Sequence, residues 1–236
     1  MKRVRQIPLA IGPLPARGFD AVVPGRNTAA LAQLQQLAAA LPYAAPSAPP
    51  LPVYLWGAAG CGKTRLLQAT ADAALQRGLQ VGWIDPAQPL PWRAQASWSL
   101  LVLDSCEQFD SAQQQAAFML FIETQASAVP LLAAGRCPPI DLPLREDLRT
   151  RLGWGHVHAL QALDEAQVRA ALRKEADRRG ILLGDEVLDF LLTRFSRELD
   201  HLLGLLDRLD EFALSRQRAI TVPLLRRLFE EEGQTL

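Results

Sequence analysis

Gly57-Ala58-Ala59-Gly60-Cys61-Gly62-Lys63-Thr64 decides how the chain reads. The octet satisfies G-x-x-x-x-G-K-[ST] at every fixed position, the pattern of a loop that wraps a phosphate. An apolar run, Pro52-Val53-Tyr54-Leu55-Trp56, leads into it, and a helical stretch from Arg65 to Arg77 leads out. That setting matters, because glycines free backbone N–H groups to curl round an anion and the helix N-terminus adds positive potential. Gly57, Gly60, Cys61, Gly62 and Lys63 are therefore nucleotide-binding candidates, with Lys63 reaching the β- and γ-phosphates and Thr64 ligating Mg²⁺. Only three of the 25 basic residues are lysine (Lys2, Lys63, Lys174). In so arginine-biased a chain, a lysine here points to a task that guanidinium does less well.

A phosphate loop of this kind needs an acid at the tip of a second buried strand. Leu100-Leu101-Val102-Leu103-Asp104 supplies it, with Asp104 the second metal candidate, holding Mg²⁺ through water. The position after it, where many hydrolases carry another carboxylate, is Ser105. The nearest acid is Glu107, which reads as a solvated loop carboxylate. Nucleotide binding follows from this set more readily than autonomous hydrolysis.

The bulk properties set the frame. The chain of 236 residues is 49% hydrophobic with formal net charge +0, enough for a well-packed α/β domain with a small appendage. Neutrality argues against a strongly electrostatic nucleic-acid binder. Cys61, Cys106 and Cys137 are odd in number and widely spaced, so neither a disulfide framework nor a zinc site is indicated. They read as buried apolar side chains, Cys61 being the one open to oxidation. No run reaches the length of a membrane span, and Pro8, Pro13 and Pro15 interrupt the only leader-like stretch, so a cytoplasmic, non-membrane protein is expected.

Residues 1–27 look extended and irregular, with Pro, Gly and Arg interleaved. Thr28 to Leu41 reads as a helix capped by Asn27 or Thr28, and Pro42 to Pro52 as a stiff connection. Further strands are expected at Gln80 to Ile84, Trp98 to Leu103, Val129 to Ala134 and His156 to Leu160, with helices at Ser111 to Gln125 and Leu144 to Leu152. Alternation after a phosphate loop implies a five-stranded parallel sheet covered on both faces. Beyond Asp164, which forms a capping pair with Gln167, the pattern is helical only. The expected domains are an extended leader (1–18), an α/β core (19–163) and a small all-helical lid (164–236).

Two arginines draw notice. Arg151, in Arg149-Thr150-Arg151-Leu152-Gly153-Trp154-Gly155, and Arg197, in Ser196-Arg197-Glu198-Leu199, each read from spacing alone either as a surface salt bridge or as a guanidinium aimed at a γ-phosphate.

With these residues in view, the chain resembles the AAA+ domain of the bacterial initiator DnaA, and within that family the stand-alone Hda-type regulators. The phosphate loop, Leu100 to Asp104, the segment Phe19-Asp20 with Pro24-Gly25-Arg26-Asn27, and the block Arg151 to Gly155 carry the resemblance. It implies an AAA+ P-loop core with a helical lid, binding ADP or ATP with Mg²⁺. It also implies that Arg151 is a finger acting in trans on a neighbour's nucleotide and that Arg197 senses nucleotide from the same chain. Gln6-Ile7-Pro8-Leu9-Ala10-Ile11 is similar to the short peptide by which such regulators grip the sliding clamp of DNA polymerase III; its plainer reading is an unstructured leader. Gln6, Ile7, Leu9 and Ile11 are the clamp-binding candidates, with Leu9 and Ile11 filling an apolar groove.

Two departures stand out. Ser105 lacks the second acid, and Leu132-Ala133-Ala134-Gly135-Arg136 has no polar sensor at the end of the fourth strand. Both fit a protein that holds its nucleotide, ADP in particular, as a structural ligand. The resulting expectation is a regulator that, on the DNA-loaded clamp, stimulates hydrolysis of DnaA-bound ATP and so restrains replication initiation. DnaA and the clamp are then its partners, with DNA reached through the clamp and a homodimer left open. The rival reading is a self-sufficient AAA+ ATPase such as a helicase loader.

Overall fold

Leu100, Leu101, Val102 and Leu103 are wholly shielded from solvent, because the strand they form is covered on both faces. In the computed structural model, which describes residues 18–43, 49–196, 198–216 and 218–231, the chain divides into two compact units, Ala16–Ala162 and Leu163–Leu236, apart from its first residues.

The first unit is built on five parallel strands: β1 (Val53–Trp56), β2 (Gln80–Ile84), β3 (Trp98–Leu103), β4 (Leu131–Gly135) and β5 (His156–Ala159). Their order is β2-β3-β4-β1-β5, all neighbours being parallel. Side chains alternate between two cores, as the period of a strand demands. Val53, Leu55, Leu100, Val102, Leu132 and Ala134 face α1 (Thr28–Ala40) and α2 (Lys63–Leu75). Tyr54, Leu101, Leu103, Leu131 and Ala133 face α3 (Ser111–Ala126) and α4 (Glu146–Leu152). The apolar runs expected for strands lie where the sequence puts them, although β4 starts at Leu131 rather than Val129, and α4 at Glu146 rather than Leu144. Helix α2 starts two residues before Arg65 and ends at Leu75, so Arg77 lies beyond it. There its guanidinium donates to the carbonyls of Ala38 (2.6 Å) and Leu41 (2.5 Å), a cation at the C-terminus of α1.

Asn27 precedes α1 but makes no side-chain cap. Its amide instead donates to the Gln161 carbonyl (2.8 Å) and accepts from the Gln161 N–H (2.9 Å), closing the chain leaving β5 against the start of α1. Capping boxes do form at Asp110–Gln113 and, as the sequence suggests, at Asp164–Gln167.

The second unit is helical: α5 (Glu165–Arg178), α6 (Asp185–Arg194), α7 (Leu199–Arg216) and α8 (Val222–Glu231). Val168, Leu172, Leu188, Leu191, Leu202, Leu205, Leu225 and Phe229 make its core, and Phe195 stacks on Phe229 with centroids 5.0 Å apart. Glu175, hydrogen-bonded first to Arg178 and also to Arg179, is held below the usual carboxylate range. Among the described residues, no helix is long and apolar enough to cross a membrane.

All five tryptophans (Trp56, Trp83, Trp92, Trp98, Trp154) belong to the first unit, so intrinsic fluorescence follows its unfolding alone. Asn27→Ala strips both Gln161 backbone groups of their partner and should cost about 1–3 kcal/mol in urea denaturation followed by that signal. A second expectation concerns pH. Burial, reinforced by His156, lowers the pKa of His158, whose Nε2 is shut in without a hydrogen bond among the described residues. The unfolded chain therefore binds a proton that the native chain resists. This contribution is complete above about pH 6.5 and is lost as pH falls below it. The urea midpoint should drop on acidification from neutrality, with a shallower slope in His158→Gln.

Candidate functional site

The tips of β1, β3 and β4 lie side by side because parallel strands all end at the same edge of the sheet. From the tip of β1 the chain turns through Gly57 to Gly62 into α2. Gly62, directly ahead of the helix, has φ 93°, a left-handed conformation that a side chain would strain. Lys63 folds back over this loop. Its Nζ donates to the carbonyls of Gly57 (2.8 Å) and Ala58 (2.9 Å) and lies 3.8 Å from Cys61 Sγ.

Thr64 and Asp104, forty residues apart, meet directly: the Thr64 hydroxyl donates to Asp104 Oδ2 at 2.8 Å. Asp104 is only 7% exposed, and its Oδ1 accepts from the Ser105 N–H at 2.8 Å. That second bond comes from Ser105 bending back, with φ 54°. A hydroxyl and a carboxylate set side by side are hard oxygen donors of the type Mg²⁺ prefers, and a loop with glycines at positive φ is of the type that receives phosphate. The two donor sets adjoin through Lys63 and Thr64, consecutive residues at the start of α2.

Around these residues the remaining positions fall as follows. Gly57, Gly60, Cys61 and Gly62 line the loop. Ala134 is fully buried in the core shared with α1 and α2, and brings no polar atom. Phe19 and Val22, partly buried, pack against that same core, and the Ala21 carbonyl accepts from Arg65 Nε at 3.1 Å. Arg197 and the peptide residues Gln6, Ile7, Leu9 and Ile11 lie outside the described residues.

Glu107 corrects the sequence reading. Its side chain is 13% exposed rather than solvated. Oε1 lies 3.5 Å from Arg136 Nε, while Oε2 is buried without a hydrogen-bond partner among the described residues. The carboxylate leans over Gly135 at the tip of β4, on the face occupied by Tyr54. The Tyr54 hydroxyl donates to the Cys137 carbonyl (2.9 Å), and burial raises the pKa of Tyr54 well above the usual phenol range. Nothing in the sequence around Glu107 signalled this; the cue was Gly135, where an added Cβ would stand 2.2 Å from the Tyr54 hydroxyl.

Arg151 stands on a different side of the unit, in the last turn of α4. Its guanidinium carbon lies 3.7 Å from the centre of the Trp154 ring and 5.9 Å from that of Phe121. Neither an ion pair nor a side-chain hydrogen bond to Arg151 is found among the described residues. Arg145, just ahead of the same helix, is engaged by Asp147 (2.7 Å) and Gln115.

The cysteines differ more than the sequence suggests. Cys106 is fully buried, and burial pushes its thiol well above the ordinary range; Cys61 is 6% exposed; Cys137 is only partly covered. Burial, with Asp141 and Glu107 nearby, raises the pKa of Cys137 too, so titration of the native protein with Ellman's reagent should find one accessible but slow thiol, removed by Cys137→Ser. Cys61 and Cys106 should react only on denaturation.

With the geometry in hand, the chain can be set beside known proteins. The family described as "Hda, lid domain" matches residues 159–229. Domain III of the Thermotoga maritima replication initiation protein DnaA superposes with TM-score 0.70 at 20% identity, covering 91% of this chain and 95% of that one. AMPPCP-bound DnaA from Aquifex aeolicus gives 0.65 at 19% identity, over 90% and 68%. The Thermotoga maritima RuvB Holliday junction branch migration motor gives 0.63 at 16%, over 92% and 72%. At such identities the structural likeness is one of fold, the AAA+ P-loop core with a helical lid, and the lid sequence narrows it. The chain thus resembles the DnaA-related AAA+ proteins, in the fold of its core and in the sequence of its lid.

Proposed function

We propose that the chain is a regulator of replication initiation that binds a nucleotide itself and stimulates hydrolysis of ATP held by DnaA. The observation that supports the reading is a glycine loop and strand-tip acid whose groups suit holding a nucleotide better than cleaving it. Lys63, Thr64 and Asp104 converge, whereas Ser105 and Ala134 occupy the places of a water-orienting acid and a polar sensor. Glu107, the remaining acid, is occupied with Arg136 and turned to the face of Tyr54.

In this reading the loop amides from Gly57 to Gly62 and the Lys63 ammonium take the phosphates of ADP or ATP, and Arg197 senses the nucleotide. Thr64 and Asp104 would hold Mg²⁺, which would neutralise phosphate charge. The hydrolytic event takes place in the partner. There, water forms a bond to the γ-phosphorus while the bond to the bridging oxygen breaks, ADP leaves with that electron pair, and the proton lost by the water passes to solvent as inorganic phosphate forms. Negative charge is spread over the three equatorial oxygens, and Arg151 faces them from outside. Its lack of an acidic partner among the described residues supports this, because a guanidinium already neutralised would have little charge to offer. Binding of Gln6, Ile7, Leu9 and Ile11 to the DNA-loaded sliding clamp would raise the regulator's concentration near DnaA.

Three variants separate the parts. Lys63→Ala should abolish binding of fluorescent ADP. Arg151→Ala should keep that affinity yet lose DnaA-ATP turnover measured with clamp and DNA, by an amount approaching the ~10³-fold lower end for a finger in trans. Deletion of residues 1–11 should abolish retention on clamp-loaded DNA. Vigorous ATPase activity of the protein alone, unaffected by Arg151→Ala, would instead favour a self-sufficient motor.

A further inference from the structure

The Arg151 side chain ends in an arrangement that an ordinary surface arginine does not need. Three residues on, Trp154 stands beside it, because the chain turns immediately after α4. The Gly153 N–H bonds back to the carbonyls of Arg149 (3.3 Å) and Thr150 (3.2 Å), and the Trp154 N–H to that of Arg151 (3.2 Å). Two contacts then fix the indole. Phe121, fully buried in the core under α3, meets it edge to face, with centroids 6.5 Å apart and planes at 79°. Gly155 lies so close to the start of β1 that an added Cβ would fall 2.0 Å from the Pro52 carbonyl oxygen, so the segment bearing Trp154 is pressed onto the sheet. Yet Trp154 is itself 53% exposed, a large price in apolar surface for a residue with no more to do than fill space.

We infer that Trp154 is a positioning residue for Arg151: it carries the guanidinium on its ring and holds it ready for a phosphate on a neighbouring AAA+ protein. The inference rests on the proposed role of Arg151 and deepens it. The physical point is which surface of the guanidinium is used. A carboxylate would take the N–H donors at the rim and cancel the charge, leaving neither for a phosphate. An aromatic ring takes the flat face. The positive charge remains, and the five N–H donors still point outward in the plane. The flexible side chain is also confined beforehand, so less freedom is lost when it meets the charge that develops in the transition state. Arg145 shows the alternative within the same stretch, with its donors spent on Asp147 and Gln115.

Two measurements test this on the full-length chain. In protein labelled with ¹³C,¹⁵N-arginine, the Arg151 side-chain signals, assigned by their loss in Arg151→Lys, should be shifted upfield by the ring current of the indole. Trp154→Leu should return them to ordinary values. Unshifted Arg151 signals in the wild type overturn the proposal, and this arm needs neither partner nor nucleotide. In the second, turnover of ATP on DnaA is measured against regulator concentration, with clamp and DNA present. Trp154→Leu should lower the maximal rate roughly two- to fivefold, the size expected for a half-exposed cation–π contact, with little change in half-saturation. Trp154→Phe, which restores an aromatic face, should recover most of the loss. If Trp154→Leu stimulates like the wild type while Arg151→Ala is inactive, positioning by Trp154 is wrong and the finger stands. If Arg151→Ala stimulates as well as the wild type, the finger reading falls and takes the role of Trp154 with it.

Discussion

Parallel strands cannot be joined by tight turns. Each of the four connections between the five strands must return the chain to the starting edge, so every strand leaves the sheet on the same side. That constraint brings the loop after Trp56, the acid after Leu103 and the end of β4 to one rim, and it requires apolar side chains on both faces of β1, β3 and β4. The direct bond between Thr64 and Asp104 is its local consequence: one residue opens the helix after β1, the other ends β3, and β4 lies between those two strands in the sheet.

The same unit treats its charges in two ways. Asp104 is buried and satisfied on both oxygens, by the Thr64 hydroxyl and the Ser105 amide, which fixes its orientation. Glu107, three residues further, is mostly covered on the opposite face, with one oxygen near Arg136 and the other without a hydrogen-bond partner among the described residues. Half-buried Arg151 lies against rings, with no acidic partner among the described residues. Two hydrogen bonds hold the carboxylate in one orientation, whereas the contacts to the guanidinium leave its charge in place.

Much of this was legible in the chain. Strands of four to six apolar residues and the glycine-rich octet announce a parallel sheet with a phosphate loop, because strand period and loop chemistry are local properties. The convergence of Lys63, Thr64 and Asp104 was legible for the same reason: a fixed spacing and a strand tip leave little choice. What escaped depends on contacts between distant segments. Asn27 looks like a helix cap and serves instead as a clasp on Gln161, across a separation that no window of sequence spans. Glu107 looks like a loop acid until Gly135 and Tyr54 are seen to make room for it. The stacking of Arg151 on Trp154 has the right spacing, but the choice between a ring and an acid as partner depends on Phe121 and Pro52 beneath.

Strand β5 has four residues and a single neighbour, β1, whereas β3 and β4 are flanked on both sides. Amide hydrogen exchange should therefore be slowest in the middle of the sheet and fastest along β5, where opening breaks fewest bonds. The turn bearing Arg151 and Trp154 is spliced directly onto that least protected strand. The packing of Phe121 on Trp154 and of Gly155 on Pro52 therefore also anchors the fold at its thinnest border.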